Sequence, residues 1–213
     1  MPWASEAPTR LLGIGPIDQI SNLRESRQGP ALQLPQPSGA ICFHARIRVA
    51  APGGIAATMK NPFMARAIAL SIENVQSGRG GPFAAVVVKD GKVIAEGVNC
   101  VTSTNDPTAH AEIMAIREAC RKLGFFELAG CEIYTSCEPC PMCMGAIYWA
   151  RPDRVYFGNT AADAAEAGFD DSFIYREIAQ PHSARKIPMI QMMHEEALEG
   201  FRAWLRKSDK VPY

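Results

Sequence analysis

His110, Glu112, Cys137, Cys140 and Cys143 are the residues whose types and spacing carry chemistry in this chain. Residues 135–143 read TSCEPCPMC, with three cysteines at three-residue intervals. Three metal readings compete for them. An iron–sulfur cluster on such a run needs a fourth cysteine after three more residues. Ile147 stands at that place, and no cysteine follows Cys143. A structural zinc needs four closed ligands, which Cys137, Cys140, Cys143 and His110 would supply. A catalytic zinc needs only three, with water or hydroxide as the fourth. His110, Cys140 and Cys143 fit this last pattern. Pro141 opens a helix beside Cys140 and Cys143, and the positive end of a helix favours thiolates. Cys137 ends the preceding strand without that help, so it is expected to be a buried thiol off the metal.

The word His110-Ala111-Glu112 favours the catalytic reading. A glutamate two residues from a ligand, at a helix start, can reach the water without ligating and can carry its proton. Alone, either half is a weak signal. Together they form H-x-E…P-C-x-x-C, the signature of zinc-dependent nucleobase deaminases. One zinc ion per chain is therefore expected.

The elements that must position these residues follow from pattern. Asn61-Pro62 is a helix start, and Ala65, Ile68, Ala69, Ile72 and Val75 recur at helical spacing up to Gly78. FAAVVVK (83–89) and KVIAEGVN (92–99) are strands joined by Asp90-Gly91. A helix over 109–122, with Ile113, Ile116, Cys120 and Leu123 as its stripe, stops at Gly124. CEIYTS (131–136) is a strand, 141–150 a helix and RVYFG (154–158) a strand. Further helices are expected over 161–167, 172–179 and 194–207. This order predicts an α/β domain with a mixed sheet, antiparallel at the hairpin and parallel across the helical crossovers.

Residues 1–58 differ, being rich in Pro, Gly, Ser and Gln without lasting apolar periodicity, and are expected to be disordered. Their arginines fit a transit peptide, but Glu6, Asp18 and Glu25 oppose one. A start at Met59 accounts better for the boundary, leaving 59–213 as the deaminase domain. Lys+Arg and Asp+Glu both count 22, so the zero net charge argues against a surface devoted to nucleic acid. Seven cysteines without a secretory signal point to a reducing, cytoplasmic setting. No apolar run is long enough to span a membrane.

Across roughly residues 60–213 the chain resembles the cytidine/deoxycytidylate deaminase superfamily. The segments that carry the resemblance are GGPFAAVVVKDGKVIAEGVN (80–99), NDPTAHAEIMAIREAC (105–120), CEIYTSCEPCPMCMGAIYWARP (131–152) and AEAGFDDSFIYREI (165–178). FDDSFIY (169–175), Trp149 and the terminal Tyr213 point to the guanine-acting branch. Ala84 stands where that family commonly has Gly. The resemblance implies a three-layer α/β/α sandwich around a mixed five-stranded sheet. It implies hydrolysis of guanine to xanthine and ammonia, with Glu112 moving the proton of water and Asp171 serving the leaving amine. It also implies that Asn99 bonds the base edge and that Phe83 and Trp149 stack on the purine. A homodimer that exchanges C-terminal segments would bring Tyr213 of one chain over the pocket of the other. Taken singly, Asn99 reads as a turn residue, Phe83 and Trp149 as core, Asp171 as a surface carboxylate and Tyr213 as a frayed end.

Three rival functions remain at this stage. A transfer-RNA adenosine deaminase would gather basic residues at its pocket, and Arg202, Arg206, Lys207 and Lys210 lie on a helix that also carries Trp204 and Leu205. A guanosine, cytosine or aminotriazine deaminase is the second, and its ribose-accepting branch would need a pocket not sealed by Tyr213. A non-catalytic, zinc-stabilised binding module would have no use for Glu112.

Overall fold

The computed structural model describes residues 61–213. The expectations for the tail 1–58 and for a start at Met59 lie outside the described residues. Asn61 caps the first helix, α1 (Pro62–Gln76), accepting from the backbone N–H of Phe63 at 2.9 Å and of Met64 at 3.0 Å. Pro62 fits the first helical position because its missing N–H would have no partner there. The hairpin β1 (Ala84–Lys89) and β2 (Lys92–Val98) turns at Asp90 and Gly91, both at positive φ, which matches the twist of paired strands. Then follow α2 (Val101–Thr104), α3 (Ala111–Leu123), β3 (Cys131–Cys137), α4 (Pro141–Ala150) and β4 (Arg154–Asn159). The chain ends in α5 (Ala161–Glu166), α6 (Ser172–Ala179), a 3-10 turn at His182–Ala184 and α7 (His194–Arg206).

The sheet runs β2-β1-β3-β4, with β1 antiparallel to both neighbours and β3 parallel to β4. The mixed α/β class is as expected. The strand count is not: among the described residues there are four strands, not five. After β4 the chain turns helical, and the irregular stretch at 185–193 pairs with no strand. Pro188 lacks a backbone donor, which disfavours a ladder there.

Alternate residues of β1 enter two separate clusters. Ala85 and Val87 pack with Ala95, Ile133 and the alanines of α3, while Ala84, Val86 and Val88 pack with Ala67 and Leu70 of α1. One expected helix stripe is corrected and a second holds in part. On α1, Ala67, Leu70, Ser71 and Asn74 are buried, whereas Ile72 and Val75 are 44% and 51% exposed. On α3, Ile113 is buried and Ile116 and Cys120 pack against the core as expected, but Leu123 is exposed and the small residues Ala111, Ala115 and Ala119 add a buried face of their own. Gly97 explains this added face. A Cβ there would stand 2.3 Å from Ala111 O and 2.4 Å from Ala115 N, so the α3 backbone lies directly on β2. That close approach fixes the start of α3, and with it His110 and Glu112.

Candidate active site

His110 and Cys140 are the N-cap residues of α3 and α4, each in extended backbone geometry, and neither side chain caps its helix. Both side chains are thereby released toward a common point, with Cys143 three residues into α4. The Nδ1 of His110 lies 3.5 Å from Cys140 Sγ and 3.6 Å from Cys143 Sγ, and all three ligand atoms lie within 4.8 Å of one another. A tetrahedral zinc with bonds of about 2.3 Å to sulfur and about 2.0 Å to nitrogen would hold such atoms about 3.5 Å apart. The donor set therefore fits that ion. The electrostatics agree. The hydrogen bond from Cys143 holds the Cys140 thiol down, to about 4, with His110 adding to the effect. Cys143 is pushed strongly up by the same bond and by burial. The two sulfurs oppose each other's ionisation, and a dication held between them would let both ionise. The His110 imidazole is raised, chiefly by its bond with Cys140.

Glu112 is buried in the first turn of α3. Its Oε1 accepts from the Thr135 hydroxyl at 3.3 Å and its Oε2 from Cys143 Sγ at 3.4 Å. Burial raises its carboxyl above the ordinary range. It stands next to the three ligands without being one of them, which is the placement a proton carrier needs.

Cys137 stays out of the metal cluster. Its thiol donates to Thr160 O at 3.6 Å and is pushed up to about 11, first by burial and then by the charge of Glu112. All six described cysteines are free.

These groups line a cleft of about 460 Å³. His110, Glu112 and Cys140 meet Phe83, Asn99 and Asp171 there, so six of the expected site residues converge. Burial raises the Asp171 carboxyl, with the Cys140 charge as second cause. Asn99 is buried, and its Oδ1 accepts from Val101 N at 3.3 Å. Trp149 and Tyr213 do not line this cleft. They are 63% and 71% exposed and meet each other, ring centroids 5.8 Å apart, in a separate groove beside Phe201 and Trp204 of α7.

Two residues of the cleft were missed in the sequence. Phe169 packs edge-on against Phe83 at 4.9 Å and forms part of the wall. Its signal was its place next to Asp170-Asp171 in a stretch already quoted. Glu138, between Cys137 and Cys140, accepts from Ala161 N at 3.0 Å and so ties the start of α5 to the rim.

Residues 58–159 match the family model described as the cytidine and deoxycytidylate deaminase zinc-binding region. Over 151 residues the chain is 58% identical to the guanine deaminase of Bacillus subtilis (strain 168), covering 71% of this chain and 97% of that protein. An X-ray structure of guanine deaminase from Bacillus subtilis matches with a TM-score of 0.70, covering 71% of this chain and 96% of that one. The tRNA-specific adenosine deaminase of Aquifex aeolicus (strain VF5) is 36% identical over 126 residues, 59% of this chain and 81% of that protein.

Proposed function

The chain belongs to the cytidine and deoxycytidylate deaminase family, and on that premise we propose that its cleft hydrolyses guanine to xanthine and ammonia. The observation that carries this reading is a buried carboxylate, Glu112, set beside a three-ligand metal site at the base of an aromatic-walled cleft. The choice of guanine is supported by the 58% identity to a guanine deaminase across nearly all of that protein.

His110, Cys140 and Cys143 would hold a zinc ion, which would supply Lewis acidity and activate a water at neutral pH. Glu112 takes the proton of that water and delivers it to the ring nitrogen beside C2 of guanine. Oxygen bonds to C2, the bond from C2 to the exocyclic nitrogen breaks, and the amine leaves as ammonia, its third hydrogen being the second proton of the water. Asp171, whose carboxyl is raised by burial, lines the same cleft and serves that amine. Asn99 spends its Oδ1 on Val101 N, so its Nδ2 donors are left for acceptors on the base. Phe83 and Phe169 flank the purine face.

The two separate core clusters support helical layers on both faces of the sheet, a three-layer arrangement. A homodimer that exchanges its C-terminal segments is supported by the bare surface of that segment. No residue of α6 or α7 is buried, and Ile178, Phe201 and Leu205 are exposed. In that assembly Tyr213 acts on the partner's cleft. No helix among the described residues is long and apolar enough to cross a membrane. A reducing cytoplasmic setting suits a site built on free thiols. Ammonia release from guanine, guanosine, cytosine, adenine and ammeline, measured on zinc-replete protein, tests the reading. Guanine should dominate, and turnover of any other compound above guanine overturns it.

A further inference from the structure

Asn74 is a fully buried amide in the last turn of α1; it is not one of the metal-ligand candidates and does not itself line the cleft. Its Nδ2 donates twice, to Gly81 O at 2.9 Å and to Asn99 O at 2.9 Å. Both acceptors belong to residues that line the cleft. Its Oδ1 accepts from no group among the described residues. A buried amide with an idle acceptor is costly, so the value of this side chain lies in its two donors.

The receiving peptide has little freedom. Asn99 N donates to Phe83 O at 3.0 Å, which closes the hairpin above β1. On the other side stands Gly80, where a Cβ would lie 2.2 Å from Asn99 O and 2.9 Å from Asn99 Oδ1. The Asn99 peptide is thus held by a strand end, a glycine that admits no side chain, and the Asn74 amide. Gly81 O also accepts from Phe83 N at 2.8 Å, so the same amide ties down the loop before the Phe83 wall.

We propose that Asn74 is a positioning residue which clamps the Gly80–Gly81 loop to Asn99 and thereby aims the Asn99 side-chain donors into the cleft. This rests on the reading of Asn99 as the group that bonds the base. Without the clamp, the two carbonyls lose their buried partner and the Asn99 peptide turns to recover one. The catalytic groups Glu112 and Asp171 sit on other elements, so the clamp acts on binding rather than on the chemical step.

A double-mutant cycle on the zinc-replete protein tests this. Asn74→Leu removes both donors while keeping the branching and heavy-atom count of the side chain, and should lower kcat/KM for guanine by about tenfold, carried by KM, with kcat within about twofold of the parent. In the Asn99→Ala background the same change should cost less than about twofold, because the residue it positions is gone. If Asn74→Leu does not fold, Asn74→Ala, which keeps a strong helix former, enters the same cycle. A merely structural role would lower the active fraction and kcat with KM unchanged, and would add fully to Asn99→Ala. Either result overturns the clamp. A parent protein inactive on guanine overturns the functional reading and the clamp together, whereas an active parent with additive losses overturns the clamp alone.

Discussion

Cys143 Sγ lies 3.4 Å from Oε2 of Glu112, while the other oxygen of that carboxylate accepts from Thr135. The carboxylate proposed to carry the proton is therefore held between a candidate metal ligand and a neutral hydroxyl, and nothing in that placement requires it to ligate.

Glu112→Gln keeps the shape of the side chain and removes its basicity. It should retain one zinc per chain by elemental analysis and lose about 10³-fold in guanine turnover. Full activity in this variant would sink the mechanism.

Cys137 and Cys140 both lie within a few residues of the metal, yet they should respond differently. Cys137→Ala should keep the zinc, since its thiol bonds Thr160 O and lies outside the ligand cluster. Cys140→Ala should lose zinc and turnover together. Dialysis followed by metal quantification separates the two.

Gly97 tests the coupling between fold and site. Gly97→Ala drives a Cβ into backbone atoms of α3, which cannot yield as a flexible side chain would. A loss of about 3 kcal/mol is expected, seen as a fall in Tm of roughly 6–12 °C. Zinc affinity should fall with it, because His110 and Glu112 ride on the displaced helix.

Acid stability should report the Glu118–Arg121 pair. Arg121 holds the Glu118 carboxyl down to about 2, from an ordinary 4.5. The folded value is the lower one, so the stabilisation is fully present above pH 4.5 and is lost as pH falls toward 2. The pair is solvent-screened, so Glu118→Gln should cost only about 0.5 kcal/mol at pH 7. Urea titrations of parent and variant should differ at pH 7 and converge near pH 2.

Tyr213 offers a test of the exchanged dimer. Removing it should leave the metal in place and weaken guanine turnover. Mixing that truncated chain with Glu112→Gln should restore activity, because one site then pairs an intact cleft with an intact terminus. Unchanged turnover after truncation would remove Tyr213 from the site.

The metal cluster was legible in the sequence because its constraint is chemical. Only certain side chains ligate, and Pro141 marks the helix start that distinguishes Cys140 from Cys137. The hairpin was equally plain from Asp90-Gly91. The α1 face was not. Two apolar sets overlap on that helix, and the one that buries includes Ser71 and Asn74, whose polarity is answered by Ile68 O, Gly81 O and Asn99 O. Those partners lie in the same turn or in loops beyond the end of the helix, so periodicity alone could not reveal the second kind. The four-residue α2, rich in β-branched residues and without a capping side chain, left no pattern to read. The strand count failed because it came from resemblance rather than from any segment that looked like a fifth strand.

His110 and Cys140 occupy places where a helix is usually begun by Ser, Thr, Asp or Asn. The chain has given up both starting bonds in exchange for ligation. An ion joining them would act as a reversible cross-link between residues 30 positions apart, closing a loop that contains the whole of β3. Loading the metal would then also be an assembly step, fastening the first turns of two helices at once, with Glu112 in the first turn of one of them.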